Sequence, residues 1–494
     1  MLTEQEIKNF IEKDAESKKK RYARTGRDYY EGKHDILNYR IFFVDADGKV
    51  REDTHKTNIK ICHPFYKLLV DQQAQYMLSG KEGFVRSDIP ELQTELDDYF
   101  NDNESFMAEL YDLLVGCISK GFEDMYAYKG ENDKTAFQCA DSLGVVQVKA
   151  KDATDNEDHV IYWFIDTNVK DDKKVKRIQV WDKKETHYYA QIDDGAIAKD
   201  ESVPVNPRPH IIYKKDGDES TYYEDYGVIP FFRLGNGKKQ FSGLKPIKAL
   251  IDDYDLMNAG LSNNIQDTNE AYYVVKGFEG DNLEELLTNF RAKRHIGVAE
   301  GGGVDIETVD IPVEARKIKM EVDEKNIFRF GMGVNTEALK DTSATVSVAI
   351  KSAYANLDLK CEGLLPSLKQ FMRRLLDIVL KEINEAQGSD YQQKDIYFNF
   401  EREIITNAEE NATIDLTKAQ EQQTKVTTIL NVASQLGPEL TQQLLCEVLE
   451  LDYDDIKDKL PKSEEDETAI AKAALADIAP EEDEPEGVPG DVIE

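Results

Sequence analysis

Asp252, Asp253 and Asp255 crowd three carboxylates into four positions of the stretch LIDDYDLMN. Carboxylates this close are the raw material of an acid/base pair, although an acidic run on an amphipathic element is ordinarily a solvated face. Gly301, Gly302 and Gly303 have the composition of a phosphate cradle, but between two strand-like runs they read as a hairpin turn. The seven histidines never recur at i, i+4, so no helical metal pair is present. The five cysteines are scattered and form no C-x-x-C, which excludes a structural zinc knuckle and fits a reducing compartment. There is no G-x-x-x-x-G-K, H-E-x-x-H or G-x-S-x-G. No catalytic residue, metal or cofactor is expected.

The elements that hold these residues must therefore explain them. The 494 residues carry 97 acidic and 62 basic side chains, a net charge of −35. That balance opposes tight binding to nucleic acid, which needs Lys and Arg set against phosphates. Apolar residues at 40% suffice for a sizeable core. The N-terminus has no apolar leader and no run of 18 apolar residues exists, so a soluble, intracellular chain without membrane contact is expected.

Thr3 and Glu6 form a capping box ahead of the stripe Ile7, Phe10, Ile11. Helices are expected after Pro64 and over 91–120, then short aromatic and β-branched strands from about Asp124 to Gly235. GNGKKQFSG reads as a flexible joint. Leu244, Ile247, Ile251, Tyr254, Leu261 and Ile265 then repeat at three and four, with Asn258 in one polar slot. Taken as one helix from Leu244 to Glu270, that stretch would run roughly 40 Å. A small mixed insert follows, then a second helix from VEARKIKM, a small-residue loop, and a very long helical stretch containing Pro366. Residues 408–460 read as helical with a break at Gly437-Pro438. From Lys462 the tail has 12 acidic and 2 basic residues and reads as disordered.

Three segments carry a family resemblance: HPFYKLLVDQQAQYMLSGK, YGVIPFFRLGNGKKQFSGLKPIKALIDDYDLMNAGLSNNIQD and VDIPVEARKIKMEVDEKNIFRFGMGVNTE. In content and order the chain resembles the portal proteins of long-tailed double-stranded DNA phages of Gram-positive hosts. The resemblance implies an elongated α+β portal-type subunit with a β-rich wing, long stem helices, a small α/β clip and a helical crown. It maps the wing to 1–241 and 347–405, the stem helices to 242–270 and 313–334, and the clip to 271–312. The tunnel loop maps to 335–346, the crown to 406–461 and the acidic tail to 462–494. It further implies a homo-oligomeric ring of about a dozen copies (thirteen in isolation), with double-stranded DNA passing through it. The implied partners are a terminase large subunit, major capsid and scaffolding proteins and a head-completion adaptor. The site would be the capsid portal vertex of the virion, with assembly in the host bacterial cytoplasm.

On that reading Asp252, Asp253, Asp255, Asn263, Asn264 and Asp267 give the first stem helix a wet or inter-subunit face. Arg316, Lys317 and Lys319 are the candidate basic positions of the second. Lys340, Asp341, Thr342, Ser343, Ala344 and Thr345 form the tunnel loop, and Arg291, Lys293 and Arg294 are docking candidates in the clip. Geometry agrees. Twelve helices at roughly 10 Å spacing circle about 38 Å, leaving a hole of roughly 28 Å for a duplex. An acidic lining would keep DNA from sticking. The alternatives are another virion adaptor or minor capsid scaffold, without channel helices, and a cytoplasmic enzyme, with a concave pocket gathering Asp, Glu and His.

Overall fold

Thr3 and Glu6 close the expected capping box. The Glu6 carboxylate accepts from the Thr3 N–H at 2.9 Å and the Thr3 hydroxyl accepts from the Glu6 N–H, starting α1 (Glu4–Ala15). A computed structural model of the chain describes residues 2–45, 47–54, 56–81, 83–130, 133–150, 157–167, 173–214, 221–267, 272–278, 298–307, 312–335, 347–403 and 408–449. The chain divides into two compact units, Met1–Asp341 with Ala353–Ile404, and Thr342–Ser352 with Ile405–Glu494.

In the first unit α2 (Lys18–Tyr30) precedes a small hairpin of β1 (Phe42–Val44) and β2 (Val50–Glu52). Next come α3 (Phe65–Met77), β3 (Val85–Arg86), α4 (Pro90–Leu96) and α5 (Glu104–Lys120). The helix expected over 91–120 is thus two. A π turn at Asp97–Asn101 interrupts it, and Asn103 caps the second part by accepting from the Phe106 N–H at 3.0 Å.

The strand-rich region is antiparallel throughout. β4 (Phe122–Lys129), β5 (Thr135–Ala140) and β14 (Phe231–Gly235) form one sheet in the order β14-β4-β5. β6 (Val145–Lys149), β7 (Glu157–Asp166), β8 (Val175–Trp181), β9 (Glu185–Ile192) and β10 (Ala198–Lys199) form a meander, with β11 (Arg208–Pro209) beside β9. β12 (Ile211–Lys214) and β13 (Thr221–Glu224) pair separately. Ile7 and Ile11 of α1 are buried against Val146, Ile161 and Ile178 of the meander, so the predicted stripe is a sheet-packing face.

The remaining elements are α6 (Lys248–Asp267), β15 (Tyr272–Phe278), β16 (Val298–Glu307), α7 (Val313–Gly331), α8 (Ser347–Gln387) and β17 (Tyr397–Phe398), which pairs with β3. α8 has 41 residues with Pro366 inside. Its buried Leu357, Cys361, Leu364, Leu368, Phe371 and Leu375 recur every three or four positions and run through the core shared with α3 and α5. In the second unit α9 (Ala408–Leu436) ends at Gly437, whose φ of +79° turns the chain into α10 (Pro438–Val448), as the Gly-Pro signal predicts. No helix among the described residues is long and apolar enough to cross a membrane.

Three local expectations are corrected. The helix predicted from Leu244 begins at Lys248, because Pro246 has no N–H to donate and Leu244–Ile247 instead close tight turns. Gly301–Gly303 are not a hairpin turn. They lie within β16, where Lys276 pairs with Gly303 and Phe278 with Val298, so Ala299–Gly302 bulge opposite Gly277. The stretch GNGKKQFSG is not a free joint: the Asn236 and Gly243 N–H groups donate to the Gly121 and Ile118 carbonyls at 2.8 and 3.0 Å. The buried Ser242 hydroxyl donates to the Ser119 carbonyl at 2.6 Å. The acidic tail from Lys462 lies outside the described residues.

Candidate functional site

α6 and α7 pack side by side and antiparallel. Gly260 faces Arg316, and Asp253 faces Lys319, so numbers rise along one helix as they fall along the other. Gly260 has a packing reason. A Cβ there would stand 2.8 Å from a guanidinium nitrogen of Arg316, which fills the space instead. Lys319 Nζ donates to Asp253 at 2.5 Å and also to Asp323, whose carboxylate is buried. Burial draws the Lys319 ammonium down, but the two carboxylates outweigh it and hold it above its ordinary value. Lys319 is therefore a clamp between the two helices of its own chain. Lys317 stands exposed.

At its far end α7 is set by close approach. A Cβ on Gly333 would fall 2.0 Å from Leu69 Cδ2, and one on Gly331 2.6 Å from Leu69 Cδ1. Met332 between them takes φ +54°. The Gly331 carbonyl accepts from Lys360 Nζ of α8 at 2.8 Å, which satisfies one of the helix's final carbonyls.

The polar face of α6 is occupied by the chain's own N-terminal region. Lys248 Nζ pairs with Asp35 at 2.5 Å and Asp252 at 2.8 Å, and the Tyr29 hydroxyl donates to Asp252. Asp255 is wholly buried. Its Oδ2 accepts from His34 Nδ1 at 2.6 Å, and its Oδ1 accepts from His63 Nδ1 at 2.7 Å and from the His63 N–H at 3.0 Å. Burial pushes the Asp255 carboxyl up, yet the histidine hydrogen bonds outweigh this and leave it below the usual range. His34 Nε2 faces the Tyr29 carbonyl at 3.2 Å and the imidazole stacks on the Tyr29 ring at 4.4 Å. The side-chain amide of Asn258 meets His63 Nε2 at 3.2 Å. Further along, Asn263 Oδ1 accepts from the Ile59 N–H at 2.7 Å and Asp267 Oδ1 from the Thr57 N–H at 3.3 Å.

The crowding of polar groups on α6 thus has a physical cause. Residues 56–63 form no ladder, so their N–H groups need acceptors, and Asp267, Asn263 and Asp255 of α6 accept from those of Thr57, Ile59 and His63. Asp255 departs most from the expected wet face. It shares the four-residue spacing of the buried Ile251 and Ala259, which places it inward. Of the apolar seam, Leu244, Ile247 and Ile251 are buried, Tyr254 packs edge-on against Phe65 at 4.9 Å, and Ile265 is exposed. Asn264 lies on the same helix. His34 and His63 were not legible as site residues, being nearly 200 or more positions from Asp255 with no local motif. Lys340, Asp341, Thr342, Ser343, Ala344 and Thr345, and Arg291, Lys293 and Arg294, lie outside the described residues.

Other groupings are weaker. His187 Nε2 comes within 3.3 Å of Glu185 and 3.9 Å of Asp182 in the β8–β9 turn, but Asp182 already accepts from the Lys184 and Glu185 N–H groups. A cleft of about 400 Å³ gathers Asp133, Glu224, Asp225, Glu382 and Glu385, with Lys129 3.0 Å from Glu382, and among the described residues no histidine or cysteine lines it.

A family model for phage portal proteins, SPP1 Gp6-like, matches residues 9–443. The portal protein of Bacillus phage SPP1 is 26% identical over 389 residues, covering 77% of this chain and 74% of that protein. The portal protein of Clostridium phage phiCD119 is 24% identical over 403 residues, covering 78% and 84% respectively.

Proposed function

The chain belongs to the phage portal protein family, SPP1 Gp6-like, and from that premise we propose how its parts serve a portal. Copies form a ring, about twelve in number, at one capsid vertex, and DNA enters and later leaves through the central channel. α6 and α7 act as the stem, 271–312 as the clip and 335–346 as the tunnel loop. Residues 1–241 with 347–405 act as the wing, 406–461 as the crown, and 462–494 as an acidic tail. The observation that carries this reading is the antiparallel α6–α7 pair, clamped by Lys319 and seated on the N-terminal region through Asp255. Long helices held this rigidly can wall a channel without deforming as DNA moves.

Because α6 spends several of its carboxylates inside its own subunit, we assign the DNA-facing surface mainly to α7. Glu314, Lys317, Glu321 and Lys325 are exposed at three- and four-residue spacing and alternate in sign. Alternating charge gives a shallow potential along the channel, so a duplex neither binds nor is expelled. The clip, with Arg291, Lys293 and Arg294, would dock the terminase large subunit and later the head-completion adaptor. Major capsid and scaffolding proteins would meet the wing. Lys340 to Thr345 would contact the moving duplex. The subunit itself does no catalysis; ATP-driven work falls to the terminase. It resides in the virion after assembly in the host bacterium.

The test is a packaging reaction with shells assembled with or without this chain, given terminase, ATP and DNA. Nuclease-protected DNA should appear only in shells that contain it. Equal protection without it would contradict the reading.

A further inference from the structure

The β1–β2 hairpin exposes its apolar residues rather than burying them. Phe42, Phe43, Val44 and Val50 are 57, 43, 66 and 69% exposed, in strands where every residue is exposed. A two-stranded hairpin is marginal in water by itself, and contiguous apolar surface on a soluble subunit marks an interaction site. Yet this hairpin is built to hold its shape. Asp45 Oδ1 accepts from the Asp47 and Lys49 N–H groups at 3.0 and 2.9 Å, Asp45 pairs with Arg51 at 2.6 Å, and the Asp53 N–H donates to the Ile41 carbonyl at 2.8 Å. Its root is pinned to α6 through Thr57 and Ile59.

We propose that this hairpin is an arm that docks its Phe42–Val44 edge on a second copy of the chain, joining neighbours in the ring; this rests on the portal reading above. Two observations favour a second copy as the occupant. A chain of net charge −35 repels its own copies, but Lys33–Lys60 carries six basic and five acidic residues, so the arm can approach a copy without that repulsion. Alternation along the strands puts Phe42, Val44 and Val50 on one face of the hairpin, and their exposed area, on the order of 300 Å², is a substantial share of the roughly 800 Å² that one partner gives to a stable interface.

The full-length chain, with a benzophenone amino acid in place of Phe42, is assembled from equal parts of unlabelled and nitrogen-15-labelled protein and irradiated. The expected result is crosslinked peptides of mixed isotope content from the ring fraction. In parallel, a Phe42→Ser, Phe43→Ser, Val44→Ser variant should retain the unfolding curve of the parent subunit, since all three positions are exposed, while its ring fraction falls about tenfold or more. Crosslinks confined to single chains, or a ring fraction equal to the parent's, would overturn the arm and leave the portal reading standing. Failure of the unmodified chain to form any ring would overturn both.

Discussion

Nδ1 of His34 lies 2.6 Å from Oδ2 of Asp255, and neither side chain has exposed surface. The pair joins the loop after α2 to the middle of α6, and His63 completes it from the residue before Pro64. Removing one partner strands the other in a dry site, a loss of about 3–5 kcal/mol. Asp255→Ala should therefore destabilise the isolated subunit by that amount in denaturant unfolding, and Asp255→Asn by less. A loss below about 0.5 kcal/mol for the alanine variant would contradict the anchor.

Two buried carboxyls predict opposite pH behaviour. Asp255 is held below its ordinary value, so its stabilisation is present above the ordinary carboxylate range and is lost as pH falls through the depressed value. Glu123 is pushed up to about 7 by burial, in spite of Lys120 at 2.5 Å. Its contribution is complete below about 4.5 and is lost as pH rises through about 7. The stability difference between the parent and Glu123→Gln should thus shift against the parent from pH 4.5 to 7.5 in thermal melts. A constant difference would refute the assignment.

The two packing glycines should respond differently. At Gly333 a Cβ collides with Leu69, a buried core residue, so Gly333→Ala should cost about 1–3 kcal/mol through overpacking. At Gly260 the obstacle is the movable end of Arg316, and alanine favours the helix, so Gly260→Ala should change stability by no more than about 1 kcal/mol. Calorimetry on the two variants distinguishes the sites; equal losses would contradict this packing.

Lys319 and Lys317 are two residues apart but should differ in kind. Lys319→Ala leaves Asp323 buried without its cation and should lower subunit stability by about 1–3 kcal/mol. Lys317→Ala should leave stability within about 0.5 kcal/mol, because the side chain is exposed. Its effect should instead appear in packaging rate as a function of salt. Reversal of the two stability effects would contradict the clamp.

What could be read in advance follows from the range of the interactions involved. The capping box at Thr3 and the Gly437-Pro438 break depend on neighbours within a few positions, and each signal matches the structure. The antiparallel strands between Phe122 and Gly235 were legible in kind. The use of the polar side chains of α6 was not legible, because their partners at His34, Thr57, Ile59 and His63 are set by tertiary packing across nearly 200 residues or more. An acidic helix reads the same whether its face meets water, DNA or an unpaired backbone. For Asp255 the one local signal was its place in step with Ile251 and Ala259.

We propose that α6 and α7 wall the channel of a ring. Native mass spectrometry of the purified chain, with rotational averaging of particle images, tests it most directly. The expected result is a closed ring of about twelve or thirteen copies with a central hole wide enough for a duplex. A closed dimer or tetramer without a hole would contradict it.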